Sequence, residues 1–216
     1  MKTEKVIFWN VDTQVDFISP QGKLYVPGAE LLKPVWAKLT RFAKLNSVTV
    51  VNTADWHYPD SEELSANPDF ITTFPLHCMA NTPGAELIEE TTPENPLIID
   101  WNKEMSINQE QISKEKYRNF LIRKDAFDVF RGNRFTDKLL KILSPELVVV
   151  YGVTTNVCVN DAVLGLIQRV KNVMVVEDAI KELPNIPLPF DNWKKLGVEL
   201  LPTDQIISMF ENSYYF

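Results

Sequence analysis

The chain contains only two histidines, and each stands where a metal ligand would be expected. His57 follows Asp55 by two residues, directly after the apolar run at 48–52. Because residues i and i+2 of an extended segment point to the same face, this carboxylate and imidazole can converge on one ion at the end of a strand. His77, from a later loop, would complete a set of two nitrogens and one carboxylate, typical of zinc, iron or manganese sites with open positions. Taken alone, each residue is more often an ordinary loop residue.

A second set of chemical groups contains a carboxylate and a thiol. Asp12 comes directly after the apolar run at 6–11, and Cys158 ends the motif Gly-Val-Thr-Thr-Asn-Val-Cys at 152–158. Cys158 stands at the start of a predicted helix, where unpaired N–H groups and the helix dipole favour an anion. We therefore expect the pKa of this thiol to be lowered, which makes Cys158 a candidate nucleophile. The alternative is a small buried hydrophobic residue, which is the commoner role of a cysteine.

Alternating strands and helices would bring these groups together. Apolar runs typical of buried strands alternate with stretches that have the apolar spacing of helices. The predicted strands are 6–11, 48–52, 96–100, 120–123, 147–151, 173–176 and 198–201. The predicted helices are 29–45, 136–143 and 157–170, together with the polar segment 102–118. This order predicts a three-layer α/β/α, Rossmann-like fold with a mostly parallel sheet of about six strands. Ligands of such folds gather at the carboxyl ends of the strands.

Composition narrows the class of protein. The 216 residues, 45% of them hydrophobic, predict one well-buried domain over 1–216. A net charge of −7 without a basic patch argues against nucleic-acid or membrane binding and favours a small-molecule partner. The short apolar run near the amino terminus is too brief for a signal peptide or a membrane span, so we expect a cytoplasmic protein. In that compartment Cys78 and Cys158 are expected to stay reduced.

The motifs, taken in order along the chain, resemble those of the isochorismatase-like cysteine hydrolases and, within them, the nicotinamidases. The resemblance extends from about residue 6 to 176 and has five parts. They are Asp-Thr-Gln-Val-Asp-Phe at 12–17, Asp-Trp-His at 55–57, His-Cys at 77–78 followed by Thr-Pro-Gly-Ala-Glu-Leu at 82–87, Lys124, and Gly-Val-Thr-Thr-Asn-Val-Cys-Val at 152–159.

The resemblance implies a catalytic triad of Asp12, Lys124 and Cys158. Cys158 would attack an amide carbon and form a thioester, Asp12 would take the thiol proton and deliver it to the departing ammonia, and Lys124 would stabilise the thiolate. The backbone N–H groups of Thr154 and Cys158 would form the oxyanion hole. The family also implies a cis peptide between Val153 and Thr154.

The resemblance further implies a metal and a substrate pocket. Asp55, His57 and His77 would bind a divalent cation, with zinc as the first expectation and iron or manganese as alternatives. Its open position would meet the pyridine nitrogen of nicotinamide. The implied substrate-binding residues are Phe17, Phe74, Val153 and Asn156. The implied partners are a small amide substrate and further copies of the chain in a homo-oligomer.

Four features depart from the family pattern or have no assigned role. Asn156 stands where the family usually has Asp, which makes the choice of substrate less certain. Ser61 or Glu63, or neither, would assist the metal. The segment 102–118 is longer than usual and would form a lid, an oligomer contact or a solvated helix. No chemical role is predicted for Cys78.

Three hypotheses follow. The first is a metal-containing cysteine amidohydrolase that converts nicotinamide and water to nicotinate and ammonia in NAD salvage. The second is a hydrolase of the same fold that acts on another small amide or on a ureide. The third, from a different class, is a non-catalytic metal-binding, ligand-binding or redox-sensing relative, against which the complete triad argues.

Overall fold

Seven parallel strands form one sheet in the computed structural model, which describes residues 5–110, 112 and 116–211. The strand order is β3-β4-β2-β1-β5-β6-β7, and every neighbouring pair is parallel. The strands are β1 (Val6–Val11), β2 (Thr49–Asp55), β3 (Leu97–Asp100), β4 (Asn119–Lys124), β5 (Leu147–Val153), β6 (Asn172–Lys181) and β7 (Glu199–Leu201). The expected count of about six is thus corrected to seven, one strand for each of the seven predicted apolar runs, including the short edge strand β7.

Helices cover both faces of the sheet. The α-helices are α1 (Val15–Ile18), α2 (Lys33–Leu45), α3 (Val129–Gly132), α4 (Thr136–Leu143), α5 (Cys158–Ile167), α6 (Phe190–Lys195) and α7 (Thr203–Glu211). Short 3-10 helices span Ala29–Leu32, Pro83–Ala85 and Glu89–Thr91. The helix predicted over 29–45 is therefore divided, since Pro34 lies in the first turn of α2, where its missing N–H is tolerated.

Two apolar cores lie on opposite faces of the sheet. Phe8 of β1 packs in one core with Trp36 of α2 and Phe210 of α7. Trp9, the next residue of β1, points the other way, into a core with Val163 of α5 and Trp193 of α6. Strands that are apolar on both faces need cover on both faces, and this is why β1 and β5 are fully buried. The predicted three-layer α/β/α fold is confirmed.

The segment 102–118 is not helical in its described part. Its described residues form turns and extended chain, and residues 111 and 113–115 lie outside the described part. Two of its isoleucines, Ile107 and Ile112, are buried in the core that contains Trp9. Their spacing of five residues does not form the i, i+3 and i+4 stripe of an amphipathic helix. The helix predicted there is therefore wrong for the described residues, while the lid and oligomer roles stay predictions.

The carboxyl ends of the central strands meet at one edge. Val11 pairs with Thr53 of β2 and with Gly152 of β5, and Asp55 pairs with Lys124 of β4. Gly152 is required here, because its φ is +121° and a Cβ atom would lie 2.0 Å from the Val11 carbonyl oxygen. Parallel register thus brings the residues that follow β1, β2, β4 and β5 to a common place.

Within the described ranges, no helix has the length and apolar character needed to cross a membrane.

Candidate active site

A buried lysine joins two carboxylates at the strand ends. Lys124, the last residue of β4, is 1% exposed, and its Nζ lies 3.0 Å from Asp12 Oδ2 and donates a hydrogen bond to Asp55 Oδ1. The other Asp12 oxygen accepts a hydrogen bond of 2.5 Å from Thr53. The backbone of Asp12 has a φ of 49°, in the left-handed region. Buried charges need such pairing, and the three groups form one connected cluster.

The pKa values in this cluster move in different directions. Burial alone would lower the pKa of Lys124, but the carboxylates of Asp12 and Asp55 raise it well above its ordinary value. Burial opposes ionisation of Asp55, but Lys124 and the two histidines lower its pKa far below its ordinary value. For Asp12, burial dominates and raises the pKa, with Lys124 acting in the opposite direction. Two carboxylates with such divergent pKa values suit different tasks, an ionised ligand and a proton acceptor.

Cys158 lies beside these carboxylates at the first residue of α5. Its Sγ and one oxygen each of Asp12 and Asp55 lie within 4.8 Å of one another. The expectation of a lowered thiol pKa is wrong, because burial raises the pKa of Cys158 well above its ordinary value and outweighs the attraction of Lys124. The first turn of a helix does not offset the loss of water around a thiol that is 5% exposed. Ionisation of Cys158 therefore needs a base.

The segment from Val153 to Cys158 carries the two N–H groups predicted for the oxyanion hole. The implied cis peptide between Val153 and Thr154 is present. The Thr154 carbonyl accepts hydrogen bonds from Val157 N and Val159 N. Within the described part of the chain, no acceptor contacts the backbone N–H groups of Thr154 and Cys158. Both predicted oxyanion-hole donors thus lack a partner within the described part of the chain, and their role stays a prediction.

Asp55, His57 and His77 form a cluster that fits a divalent cation. One ligand atom from each lies within 4.8 Å of the others, and all three side chains are buried. Asp55 Oδ2 is 3.9 Å from His57 Nε2 and 3.8 Å from His77 Nε2, too far for a hydrogen bond. His77 Nδ1 donates to the Pro75 carbonyl at 2.8 Å, so its Nε2 carries the lone pair. His57 Nε2 is buried and has no hydrogen-bond partner among the described residues. A cation would satisfy this orphaned nitrogen, and the donor set suits zinc, iron or manganese.

Two side chains that the sequence analysis does not assign hold parts of the cluster in place. Gln14 accepts a hydrogen bond from the Asp55 N–H and donates to the Asp55 carbonyl, both at 2.8 Å. Asp125 contacts His57 Nδ1 at 2.8 Å. In the sequence, only the positions of these two residues could have indicated a role. Gln14 lies in the motif at 12–17, and Asp125 directly follows Lys124.

The two residues considered as assistants to the metal have different positions. Ser61 Oγ lies 3.0 Å from His57 Nδ1, the nitrogen turned away from the cluster, so its position does not suit a metal ligand. Glu63 accepts a hydrogen bond of 2.8 Å from Phe127 N. Burial and the nearby Asp55 carboxylate raise the pKa of Glu63 to about 8.

Aromatic rings pack beside the metal-ligand cluster. Phe17 and Phe74 have ring centres 5.3 Å and 6.3 Å from that of His77. Phe127, which the sequence analysis did not single out, packs edge-to-face on Phe74 at 5.6 Å. Val153 is fully buried in the core that contains Phe8, and its role in substrate binding stays a prediction.

Asn156 supports a neighbouring loop. Its Nδ2 donates to the carbonyls of Leu183 and Ile186 at 2.8 Å and 2.9 Å, and its Oδ1 accepts from Leu183 N at 3.1 Å. Both donor hydrogens are therefore used within the protein, and a substrate contact would be limited to its oxygen. An Asp at this position would lack both donors.

Cys78 has a structural position. Its N–H donates to Asp16 Oδ2 at 2.7 Å, which ties the loop that carries His77 to α1. Cys78 and Cys158 are both free cysteines in the structure.

The fold and the site agree with the comparisons with known proteins. Residues 108–186 match the family described as the isochorismatase domain. The resemblance to isochorismatase-like hydrolases, and to nicotinamidases within them, is thereby confirmed.

Particular relatives carry the comparison further. The chain is 33% identical over 76 residues to the nicotinamidase/pyrazinamidase of Mycobacterium tuberculosis, a match that covers 35% of this chain and 40% of that protein. It is 34% identical over 102 residues to the nicotinamidase of Saccharomyces cerevisiae, covering 37% of this chain and 47% of that protein. The chain thus spans less than half the length of these curated relatives. The pyrazinamidase of Pyrococcus horikoshii, solved in complex with zinc, is 25% identical with a TM-score of 0.70, over 92% of this chain and 99% of that chain. These matches agree with the predicted class, an amide-hydrolysing hydrolase.

Proposed function

We propose that this protein is a metal-containing cysteine amidohydrolase that converts nicotinamide and water to nicotinate and ammonia. One observation carries the proposal: Lys124 bridges Asp12, next to the candidate nucleophile, to Asp55, a member of the metal-fitting cluster. A nucleophile and a cation site that share one buried lysine form a single site for one small substrate. A single domain over residues 1–216 is part of this proposal.

The proposed chemistry begins with a proton transfer from Cys158 to Asp12. The sulfur of Cys158 attacks the amide carbon, and Asp12, whose raised pKa suits a proton acceptor, takes the thiol proton. The negative charge on the amide oxygen lies against the N–H groups of Thr154 and Cys158. Asp12 then protonates the leaving nitrogen, the carbon–nitrogen bond breaks, and ammonia departs from a thioester on Cys158.

Water completes the reaction at the same residues. Asp12, ionised again, takes a proton from water as the water oxygen attacks the thioester carbon. The carbon–sulfur bond breaks, the proton held by Asp12 returns to the sulfur of Cys158, and nicotinic acid leaves and ionises to nicotinate. Lys124 stabilises the thiolate as it forms and leaves, which compensates for the burial that otherwise keeps this thiol protonated.

The metal-ligand cluster and the aromatic rings would bind the substrate ring. Asp55, His57 and His77 would hold a divalent cation, which supplies, when bound, a Lewis-acidic position for a pyridine nitrogen. Phe17 and Phe74 flank His77 and offer apolar faces to a flat ring. The nicotinamidase names of two relatives and the zinc complex of a third support this reading. Zinc as the metal, a role in NAD salvage, a cytoplasmic location and a homo-oligomer remain parts of the proposal.

Ammonia release from nicotinamide and from benzamide tests the proposal. Benzamide has the same carboxamide and ring shape but no ring nitrogen, so we expect kcat/KM to favour nicotinamide by roughly tenfold or more. Cys158→Ala should lower kcat by roughly 10³-fold or more. Cys78→Ala is the matched control, because Cys78 is also a buried free thiol, and it should retain activity.

The outcomes separate the three hypotheses. Activity that depends on Cys158 and a preference for nicotinamide that a chelator removes would support the proposal. Cys158-dependent release of ammonia from other amides or from ureides, with none from nicotinamide, would establish the second hypothesis. Metal binding without turnover of any amide would favour a binding or sensing role.

A further inference from the structure

The nitrogen of His57 that faces away from the metal-ligand cluster has two partners. Its Nδ1 lies 2.8 Å from Asp125 Oδ1 and 3.0 Å from Ser61 Oγ. The His57 side chain has no exposed surface, whereas the Asp125 side chain is 20% exposed. The imidazole is therefore held in a closed space, and the hydrogen bonds of Nδ1 set where its proton lies.

The two partners differ in what they can impose on the ring. An ionised carboxylate only accepts hydrogen bonds, so the contact with Asp125 requires a proton on His57 Nδ1. The Ser61 hydroxyl can donate or accept and therefore imposes neither tautomer. With the proton on Nδ1, the lone pair lies on Nε2, which is buried 3.9 Å from Asp55 Oδ2 and has no hydrogen-bond partner in the described ranges.

We propose that Asp125 is a positioning residue that holds His57 in the Nδ1–H tautomer and thereby sets the affinity of the Asp55, His57 and His77 cluster for a divalent cation. The inference rests on the metal centre of the proposed function. Asp125 does not touch the cation. It acts through His57, as carboxylates beside metal-bound histidines do.

The surrounding backbone supports a fixed position for this carboxylate. Asp125 directly follows Lys124, and its N–H donates to the Gly132 carbonyl at 3.3 Å. Two residues further on, Phe127 N donates to Glu63. The chain after β4 is thus tied to the chain after β2 at two points, and one of them is the contact between Asp125 and His57.

His77 provides an internal reference. Its Nδ1 donates to a backbone carbonyl, that of Pro75, so no side-chain substitution removes its tautomer-setting partner. Because the chain has only two histidines, a long-range ¹H–¹⁵N spectrum resolves both rings without crowding. We expect the neutral rings of both histidines in metal-free wild-type protein to show the Nδ1–H tautomer.

Four variants test the inference, with the same spectrum and with zinc affinity from competition against a chelator. Asp125→Ala and Asp125→Asn should add the Nε2–H tautomer to His57 alone and weaken zinc binding roughly 10–100-fold. Asp125→Glu should restore part of that affinity. Ser61→Ala, the matched control on the same nitrogen, should leave the tautomer unchanged and keep zinc affinity within about threefold of wild type.

Two results would overturn the inference. One is an Nε2–H tautomer of His57 in the wild-type protein. The other is zinc affinity within threefold of wild type in both Asp125→Ala and the near-isosteric Asp125→Asn, with the His77 signals unchanged as proof of folding. Neither readout uses an amide substrate, so a failure of the nicotinamidase assignment would leave this test intact. A failure of this test would likewise leave the nicotinamidase assignment open to its own test.

Discussion

Asn156→Asp tests the role of the Asn156 amide in stabilising the protein. The substitution changes one atom and keeps the side-chain shape. The retained oxygen still accepts from Leu183 N, but the two N–H donors to the carbonyls of Leu183 and Ile186 disappear. The new carboxylate oxygen would then face two carbonyl oxygens at about the distance of the lost bonds.

The expected loss follows from counting those bonds. Leaving a buried acceptor without its donor costs about 1–3 kcal/mol, so two acceptors give about 2–6 kcal/mol. Leu183 and Ile186 are only partly buried, and water will replace part of the loss. We expect the free energy of unfolding to fall by about 2–4 kcal/mol, which for a chain of this size lowers Tm by roughly 4–15 °C.

Asn160→Asp, four residues further along the chain in α5, is the matched control. Asn160 Oδ1 accepts from Trp193 Nε1 at 3.0 Å, and a carboxylate keeps that acceptor, although it loses the amide hydrogen bond to Asp161. One lost hydrogen bond in place of two should lower the free energy of unfolding by about 1 kcal/mol. Both variants are compared with wild type by urea denaturation at pH 7.

Acid provides a second check on the cause. Below about pH 4, the ordinary range of an Asp pKa, the new carboxyl at 156 is protonated and regains one donor, so the deficit should shrink. An Asn156→Asp variant as stable as Asn160→Asp at pH 7, or one whose deficit does not change in acid, would refute the account of this amide.

Three further predictions concern the buried charged groups and the metal-ligand residues of the candidate active site. Lys124→Met leaves the carboxylates of Asp12 and Asp55 buried without their positively charged partner. Urea denaturation of the metal-free protein should show that the free energy of unfolding falls by about 3–5 kcal/mol. A fall below about 1 kcal/mol would contradict the pairing. The pKa of Glu63 is raised from 4.5 to about 8, so between these pH values the folded state holds a proton that the unfolded chain has released. The contribution of this proton to stability is present below pH 4.5 and is lost as the pH rises to 8. Glu63→Gln should flatten that decline in metal-free protein, and an unchanged pH slope would count against it. Zinc at about 100 times its Kd should stabilise the protein by about 2.7 kcal/mol, or roughly 5–10 °C in Tm, and this response should vanish in His77→Ala.

Local patterns predicted most of the secondary structure because they depend on neighbours in the chain. The run at 6–11 and the stripe at 136–143 coincide with β1 and α4. Other boundaries moved by a few residues, and the short helices α1, α3, α6 and α7 were missed, since four to nine residues carry little periodic signal. The polar segment 102–118 lacked that signal altogether.

The sequence alone determined which residue types stand at the strand ends. Asp12, Asp55, Lys124 and Cys158 each follow or end an apolar run, and parallel strands bring such positions to one edge. The motif resemblance then supplied their proposed roles. This much is encoded in order and spacing.

Only the tertiary structure decided how these groups affect one another. His57 contacts Asp125 across 68 residues, and Asn156 contacts Leu183 across 27. The pKa of Cys158 is raised where helix position predicts a lower one, because the degree of burial is a property of the folded state. Tautomers, hydrogen bonds and proton affinities depend on the distances between residues far apart in the chain and on how much water folding removes around them. Spacing along a sequence gives neither of these quantities.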